Sequence, residues 1–261
     1  QLLNNIDCLI SLKEKQNRTL ELTAQALFKH WFVDFEFPNE DGKPYKSSGG
    51  QMVDSELGEI PEGWEINRIG DLCSKVTKGT TPTSVGGKFS DIGVNFIKVE
   101  SLTDEGGFVP SKFAHIDEYS NKLLKRSQLD PGDILISIAG TIGRVALVTE
   151  EILPANTNQA LAILRVEGKW RAFLKYALTD STVRNKLLEN VVEAVQANLS
   201  LGIISNTQMV TPNSKTLLCF DSVAENLLAK INLNNKMITN LSKLRDLLLP
   251  KLISGEIRLA A

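Results

Sequence analysis

The chain has 261 residues, of which 42% are hydrophobic, and a formal net charge of −2 with a sequence pI near 5.9. This length allows one or two domains with a full hydrophobic core, and the near-neutral charge excludes nucleic-acid binding through bulk charge, so such binding needs a local basic face. Cys8, Cys73 and Cys219 are odd in number and scattered without a CxxC pair, which supports neither a disulfide framework nor a zinc site. Because no apolar window could span a bilayer, we expect a cytoplasmic protein without a membrane partner.

Two long amphipathic stretches flank the chain. Apolar residues recur at alternating spacings of three and four from Leu2 to Val33 and from Leu217 to Leu249, and Pro250 is expected to end the second stretch. This spacing is typical of a coiled-coil seam, and at 1.5 Å per residue each helix would be about 50 Å long. The sequence predicts two matched helical arms that pack through Leu3, Ile6, Ile10, Leu20, Leu27, Phe220, Leu227, Ile231, Ile238, Leu241 and Leu248.

Polar residues interrupt both predicted seams. Lys13 and Asn17 lie in the first and Asn234 in the second, and such residues weaken packing while they fix register and partner number. The alternative is two ordinary amphipathic helices of one globule, since typical helices have about 8 to 20 residues. The first helix is already under way at Gln1 without a capping residue, so the chain is expected to be a fragment or a trimmed product.

Between the arms, the sequence pattern changes twice. Residues 34–63 are rich in Pro, Gly, Asn and Ser, which favours a flexible connection. Short strand-like runs follow, such as the alternating Ile134, Ile136 and Ile138 after an Asp-Pro-Gly-Asp turn, and helical spacing returns in residues 170–192. The predicted fold class is therefore α+β, with residues 1–35 as the first arm, 36–63 as a linker, 64–213 as a globular domain and 214–261 as the distal helix and tail.

Catalytic motifs are almost absent from the sequence. It contains neither GxxxxGK[ST] nor GxSxG, and it lacks the Gly-rich cofactor loop and the Asn/Asp-Pro-Pro-aromatic motif that methyl transfer to adenine would need. His30 and His115 stand in unrelated contexts, which argues against a metal cluster. Asp41 and Lys43 imitate part of a metal-dependent nuclease site, but they lie in the linker. The sequence predicts no catalytic and no metal-binding residue, and a nuclease is kept as the enzyme alternative.

The middle domain carries groups suited to duplex DNA. Lys and Arg can hold phosphates, and Arg, Asn and Gln can read base edges through paired hydrogen bonds. However, residues 64–212 contain 16 basic and 16 acidic side chains, so most of them belong to an ordinary surface, and turn or cap chemistry explains the amides equally well. The predicted DNA-binding residues are Lys75, Lys78, Thr80, Thr81, Lys98, Lys125, Arg126, Arg144, Asn158, Gln159, Gln196 and Asn198, with Asn156 as a further candidate for base reading.

Five short sequence motifs occur in a fixed order along the chain. They are Leu57-Gly-Glu-Ile-Pro-Glu-Gly-Trp64, Gly79-Thr-Thr-Pro82, Leu129-Asp-Pro-Gly-Asp-Ile-Leu-Ile-Ser-Ile-Ala-Gly-Thr-Ile-Gly143, Asn158-Gln159 and Leu247-Leu-Leu-Pro-Lys-Leu-Ile-Ser-Gly-Glu-Ile257. In identity and order they resemble the specificity (S) subunit of type I restriction-modification systems. The resemblance covers nearly the whole chain and corresponds to the C-terminal half of such a subunit, with a central helix, the second target recognition domain and a distal helix.

The resemblance implies a function that the residues alone leave open. In this family two target recognition domains each read one half of a split site in double-stranded DNA, and two antiparallel helices set their separation. The expected partners are methylation (M) subunits and, through them, restriction (R) subunits, which use S-adenosylmethionine, ATP and Mg, so no cofactor is expected in this chain. A half-subunit needs a second half, which predicts self-association through the helices. The alternative function is a coiled-coil adaptor that binds protein and no DNA.

Overall fold

The computed structural model describes residues 2–104, 106–166, 168–192 and 199–254. Helices and strands are mixed along the described chain, which confirms the predicted α+β class. The helices are α1 Leu2–Phe28, α2 Glu118–Leu123, α3 Trp170–Thr179, α4 Ser181–Val192, α5 Leu201–Asn206 and α6 Ser214–Ile253. The strands are β1 Met52–Val53, β2 Ile60–Pro61, β3 Glu65–Arg68, β4 Cys73–Lys78, β5 Phe89–Ser90, β6 Val94–Ile97, β7 Ala114–Ile116, β8 Ile134–Ser137, β9 Val145–Leu147, β10 Ala155–Thr157, β11 Leu161–Val166 and β12 Gln208–Thr211.

Residues 2–24 and 223–254 form a compact helical unit from parts of α1 and α6. The two helices are antiparallel, because Asp7 pairs with Arg245 at 3.1 Å while the later residue Asn17 bonds the earlier Asn234 at 2.8 Å. Ile6 and Ile10 are buried, as predicted for the seam. Other predicted seam residues in this unit are half-buried: Leu3, Leu20, Leu227, Ile231, Ile238, Leu241 and Leu248.

An asparagine layer crosses the helical unit. Asn234 is fully buried and donates to Asn17, whose own amide donates to Asn235 at 2.7 Å. A slip of either helix would separate these amides and leave the buried Nδ2 donor of Asn234 unpaired, which costs about 1 to 3 kcal/mol. The layer therefore favours the observed register over its neighbours.

Helix α6 does not end at Pro250, so that prediction is wrong. The helix continues to Ile253, and the amide of Ser254 still donates to the carbonyl of Pro250 at 2.9 Å. Proline lacks its own backbone donor and crowds the preceding turn, but it leaves its carbonyl free to accept. One further turn can therefore form on its C-terminal side.

Residues 25–222 form a second compact unit that contains all the strands. Its two four-stranded sheets have the strand orders β4-β11-β8-β9 and β10-β6-β7-β5. Leu135 and Ile163 from the first sheet share one buried cluster with Ile97 and Ala155 from the second. Ile134 and Ile136 are buried as well, so β8 is covered on both faces, and the apolar run of residues 134–138 reflects that double burial.

The Asp-Pro-Gly-Asp run forms a tight turn before β8. The amide of Asp133 donates to the carbonyl of Asp130 at 3.1 Å, and Gly132 has φ 86°, which favours glycine because the left-handed region crowds a Cβ. Arg165 from β11 holds this turn with two bonds of 2.8 Å to the carboxylate of Asp133, which is 1% exposed. The hydrogen bonds that Arg165 donates to the Asp133 carboxylate are the main cause that raises the pKa of Arg165 above its usual value.

Residues 36–63, expected to be a flexible linker, are instead folded onto an aromatic cluster. Phe37 is buried, and its ring stacks on the rings of Tyr45 and Trp64 with centroid distances of 4.5 Å and 4.8 Å. The Tyr45 hydroxyl donates to the carbonyl of Gln51 at 2.8 Å, and β1 pairs with β2. The Pro, Gly and Asn residues thus specify turns, and the aromatic side chains fasten those turns to the domain.

Two predicted seam residues belong to this second unit rather than to the helical unit. Phe220 is fully buried, and its ring centroid lies 4.9 Å from that of Phe32 and 6.0 Å from that of Phe28. Leu27 is half-buried in the same unit. Their periodicity matches the seam because they belong to the same helices, α1 and α6, each of which has residues in both units. A 3.6-residue repeat does not reveal whether the apolar stripe meets a helix or a domain core.

Within the described residues, no helix is both long enough and apolar enough to cross a membrane.

Candidate nucleic-acid interface

Two loops lie against each other at one end of the first four-stranded sheet. Strands β4 and β11 are antiparallel neighbours, so the segment after β4 (Gly79–Pro82) meets the segment before β11 (Asn158–Ala160). The amide of Gly79 donates to the carbonyl of Leu161 at 3.2 Å, and that of Thr80 donates to the carbonyl of Thr157 at 3.1 Å. We call these two segments the paired loops.

Glycine is required at position 79 by a close backbone approach. A Cβ at this position would overlap the carbonyl oxygens of Thr157 and Asn158. Any other residue would therefore force the two loops apart. The Gly-Thr-Thr-Pro run was one of the five motifs that carry the family resemblance, but its close approach to a second loop is visible only in the tertiary structure.

Side-chain hydrogen bonds bring five of the predicted DNA-binding residues together. Thr81 Oγ1 donates to Gln159 Oε1 at 2.5 Å across the paired loops. Arg126 Nη2 donates to Thr80 Oγ1 at 3.2 Å, and Lys75 Nζ donates to the carbonyl of Arg126 at 2.9 Å. The short turn Lys125–Ser127, which we call the basic turn, thus lies beside the paired loops.

Three further predicted residues adjoin this group. Lys78 is exposed at the end of β4 and Lys125 is exposed in the basic turn. Asn158 uses its side chain locally, because its Oδ1 accepts from the amide of Ala160 at 3.1 Å. That bond is the turn chemistry considered as the alternative for this residue, and it shapes the loop that presents Gln159, which is exposed.

The predicted basic residues differ in whether a carboxylate lies beside them, which the sequence could not show. Among the described residues, no carboxylate lies within ion-pair distance of Lys75, Lys78, Lys125 or Arg126. Other cations of the same unit have such a partner, for example Lys88 with Asp117 at 3.7 Å and Lys98 with Glu100 at 3.8 Å. Some described cations elsewhere in the same unit, such as Lys112, also lack one, so what distinguishes the four is that they lie together beside the paired loops. A local group of cations without carboxylate partners, on a protein of net charge −2, is an arrangement suited to binding an anion.

Two predicted residues are engaged elsewhere in the protein. Arg144 Nε lies 2.7 Å from Asp104 Oδ1, and its Nη1 donates to the carbonyl of Leu102 at 3.2 Å. Lys98 lies 3.8 Å from Glu100 and 5.3 Å from the ring centroid of Phe89. A base-reading role for Arg144 would have to compete with these bonds, and it stays a prediction. Gln196 and Asn198 lie outside the described residues.

A buried amide that sequence reasoning had considered for base reading lies inside the domain. Asn156 is fully buried and bonds Ser127 and Asn121. No feature of the sequence distinguishes this asparagine from the exposed amides that follow it, because its partners lie some thirty residues away.

Titratable groups offer little for catalysis in the described part of the chain. No group of three or more His, Cys, Asp or Glu side chains there could hold a metal ion. Asp41 and Lys43 belong to a turn in which both of their amides donate to the side chain of Asn39, at 3.0 and 2.9 Å. Burial raises the pKa of the Cys73 thiol to about 12, so this thiol stays protonated and unreactive at neutral pH.

Residues 61–217 match the family model described as the type I restriction modification DNA specificity domain. The chain belongs to this family. The matched range contains both four-stranded sheets, the paired loops and the basic turn. The family resemblance found in the five sequence motifs is therefore confirmed.

Relatives of this specificity-domain chain extend beyond it. It is 31% identical to the type I restriction enzyme MjaIX specificity subunit of Methanocaldococcus jannaschii over 98% of its length, and 23% identical to the HindI specificity subunit of Haemophilus influenzae over 97%. It spans 57% and 65% of the lengths of those two proteins. A solved S subunit from M. genitalium shares 14% identity with a TM-score of 0.48, covering 96% of this chain and 56% of that one.

Proposed function

We propose that this chain is a sequence-specific DNA-recognition subunit, or part of one, that reads one half of a bipartite site in double-stranded DNA. The observation that carries the proposal is a group of four cations beside the paired loops that have no carboxylate partner in the described part of the chain: Lys75, Lys78, Lys125 and Arg126. The paired loops present the exposed amide of Gln159 beside this group, whose members can hold phosphates. Phosphate contacts position a protein on DNA, and base-edge contacts supply sequence preference. The two kinds of group lie side by side here, and the named relatives are specificity subunits.

The proposal assigns no chemistry to this chain. Methylation with S-adenosylmethionine and cleavage with ATP and Mg are assigned to partner M and R subunits. The family membership supports this division, because the specificity domain is the part of such systems that the chain matches.

The experiment that tests the proposed function is a selection of random duplex DNA by the purified chain at about 0.1 M salt, followed by sequencing of the retained duplexes. Enrichment of a short motif supports the proposal. No enrichment, either alone or with M subunits added, would contradict it and would favour the protein–protein adaptor. Two mirrored motifs at a fixed spacing would show that two recognition domains act together.

The uncompensated cations should set the salt dependence of DNA binding. Replacing Lys125 by alanine should weaken binding to matched and mismatched duplexes alike and should lower the slope of log K against log salt concentration by about 1, as expected for one phosphate contact. The slope is measured by fluorescence anisotropy from about 50 to 200 mM salt. Lys215→Ala is the matched control, because Lys215 is also exposed but lies 3.3 Å from Glu40. Equal slopes for Lys125→Ala and the wild type would remove Lys125 from the interface.

We further propose that a second recognition domain comes from another copy of this chain, joined through the helical unit. Exposed apolar side chains lie on α1 at Leu2, Leu9 and Leu12 and on α6 at Leu233, Met237, Leu244 and Leu247, with exposed fractions of 36% to 62%. Their spacings of three, four and seven are those of a second coiled-coil stripe, outside the seam that α1 and α6 share. Helices of M subunits are the other candidate occupants of this stripe.

Light scattering of the chain at micromolar concentration tests the self-association. The expected mass is twice the 28.7 kDa of one chain. Replacing Leu244 and Leu247 by lysine should return the mass to that of a monomer, because both side chains are exposed in the single chain and their loss leaves its own seam intact. A monomeric mass for the unchanged protein would contradict this part of the proposal and leave DNA recognition standing.

A further inference from the structure

Asn156 is a buried side chain whose bonding capacity is filled. Its Oδ1 accepts from Ser127 Oγ at 2.8 Å and from the amide of Thr157 at 2.9 Å. Its Nδ2 donates to Asn121 Oδ1 at 3.1 Å and to the carbonyl of Leu124 at 3.2 Å. Full burial excludes direct contact with DNA, and such a saturated amide fixes the relative position of every group it bonds.

These bonds join two segments that are distant in sequence. On one side lies the stretch from Asn121 to Leu129, which includes the basic turn with Lys125 and Arg126. On the other side lies β10, which leads directly into Asn158–Ala160 of the paired loops. A backbone bridge between Gln128 and Asn156 and the bond from the Leu129 amide to the Ala155 carbonyl, 3.0 Å long, lie at the same junction.

The junction therefore sets the distance between a phosphate-holding group and a base-facing group. A cation on the basic turn fixes the protein on the DNA backbone, and Gln159 then meets a base edge only if its offset from that cation matches the DNA. Misplacement by about 1 Å is enough to lose directional hydrogen bonds, which is why functional groups depend on a supporting set of buried residues. Thr81 and Arg126 add bonds at the surface of the same arrangement, but these are exposed to water.

We propose that Asn156 is a positioning residue for base recognition: it holds the basic turn and the paired loops at the separation that sequence reading requires. This inference rests on the proposed function for its consequence at DNA, while its structural half can be measured without DNA. It predicts that loss of Asn156 harms discrimination between sequences more than it harms attachment to DNA.

The first test compares Asn156→Ala with Asn95→Ala. Asn95 is the control: it is a half-buried asparagine on the neighbouring strand β6, and its Nδ2 donates to the carbonyl of Ile152 at 2.8 Å and not to the segment that holds the basic turn. Binding is measured on the selected duplex and on a duplex with one changed base pair, each over a range of salt concentrations. A single mismatch normally costs about 1 to 3 kcal/mol, or about 5- to 150-fold. In Asn156→Ala the ratio of the affinity for the selected duplex to the affinity for the mismatched duplex should fall to within about threefold of unity. The slope of log K against log salt concentration should stay that of the wild type. Asn95→Ala should keep the wild-type affinity ratio.

The second test measures amide hydrogen exchange in the free protein. Peptides that cover residues 121–129 and 156–161 should lose protection together in Asn156→Ala and keep it in Asn95→Ala. If Asn156→Ala does not fold, Ser127→Ala replaces it, since it removes one donor to Asn156 and leaves the Thr157 amide bond in place. A smaller but still joint loss of protection is then expected.

Several outcomes overturn the inference. One is loss of protection in only one of the two peptides. Another is an equal effect of Asn156→Ala and Asn95→Ala on binding or exchange. The third is a fall in the salt slope that parallels the fall in the affinity ratio, because general damage to the domain would lower both. Failure of the proposed function looks different, because the wild type itself would then prefer no duplex. Joint loss of protection in the exchange experiment would in that case establish only that Asn156 holds residues 121–129 and 156–161 together.

Discussion

Replacing Asp133 by alanine is expected to lower the free energy of unfolding by about 3 kcal/mol, the low end of what loss of one member of a buried ion pair costs. The carboxylate is 1% exposed and receives two bonds from Arg165 and one from the amide of Asp130 at 2.9 Å. The variant would leave the Arg165 guanidinium, whose side chain is 29% exposed, without its main partner beside the core. Urea unfolding followed by circular dichroism measures the effect as a lower midpoint at unchanged slope.

Asp130→Ala provides the matched control for that experiment. Asp130 pairs with the same arginine, at 2.7 Å from Nη1, but its side chain is 57% exposed. Exposed ion pairs contribute about 0 to 1 kcal/mol, so this variant should unfold close to the wild type. Equal losses for the two variants would mean that the turn depends on total charge around Arg165 and not on the buried pair.

Replacing Gly79 by alanine is expected to separate the paired loops and to weaken binding of the selected duplex at least about tenfold. The added methyl group would overlap the carbonyl oxygens of Thr157 and Asn158, which are backbone atoms and cannot move aside by a change of rotamer. Overpacking of this kind costs about 1 to 3 kcal/mol. The displacement also strains the bond from Thr81 to Gln159, which spans the two loops. Titration of labelled duplex gives the affinity, and thermal unfolding gives the stability.

The control for that variant is Gly202→Ala. Gly202 lies in α5, and a Cβ there would meet only Ser200 Oγ at ordinary contact distance, 3.7 Å. Alanine is favoured over glycine within a helix by about 1 kcal/mol, so stability should hold or rise and DNA binding should be unchanged. Retention of full affinity by Gly79→Ala would show that the paired loops do not form the DNA-binding face.

Regular elements were the most predictable part of this protein. The strand-like run that begins at Ile134 corresponds to β8, and the helical spacing of residues 170–192 corresponds to α3 and α4. Such segments carry their period in adjacent residues. In the segment 36–63, local residue types predicted the turns. They could not predict that Phe37 stacks on Trp64, because no local pattern links these two residues.

The candidate site was predicted in part. Thr80, Thr81, Arg126 and Gln159 were identified from residue type and turn context, and the structure brings them into one hydrogen-bonded group with Lys75. Arg144 came from the same reasoning, yet its guanidinium is bonded to Asp104. With equal numbers of acidic and basic side chains in the domain, the sequence could not show which cations are neutralised.

The sequence by itself determined the family, the α+β class and the two long amphipathic helices, because motif order and hydrophobic period are properties of residues close together in the chain. The tertiary structure decided which charges remain uncompensated, why position 79 must be glycine and why Asn156 lies inside the domain and not at its surface. Each of these depends on contacts between segments that are tens of residues apart in sequence, such as Lys75 with Arg126 and Ser127 with Asn156. Chain folding creates those contacts, and no local period encodes them.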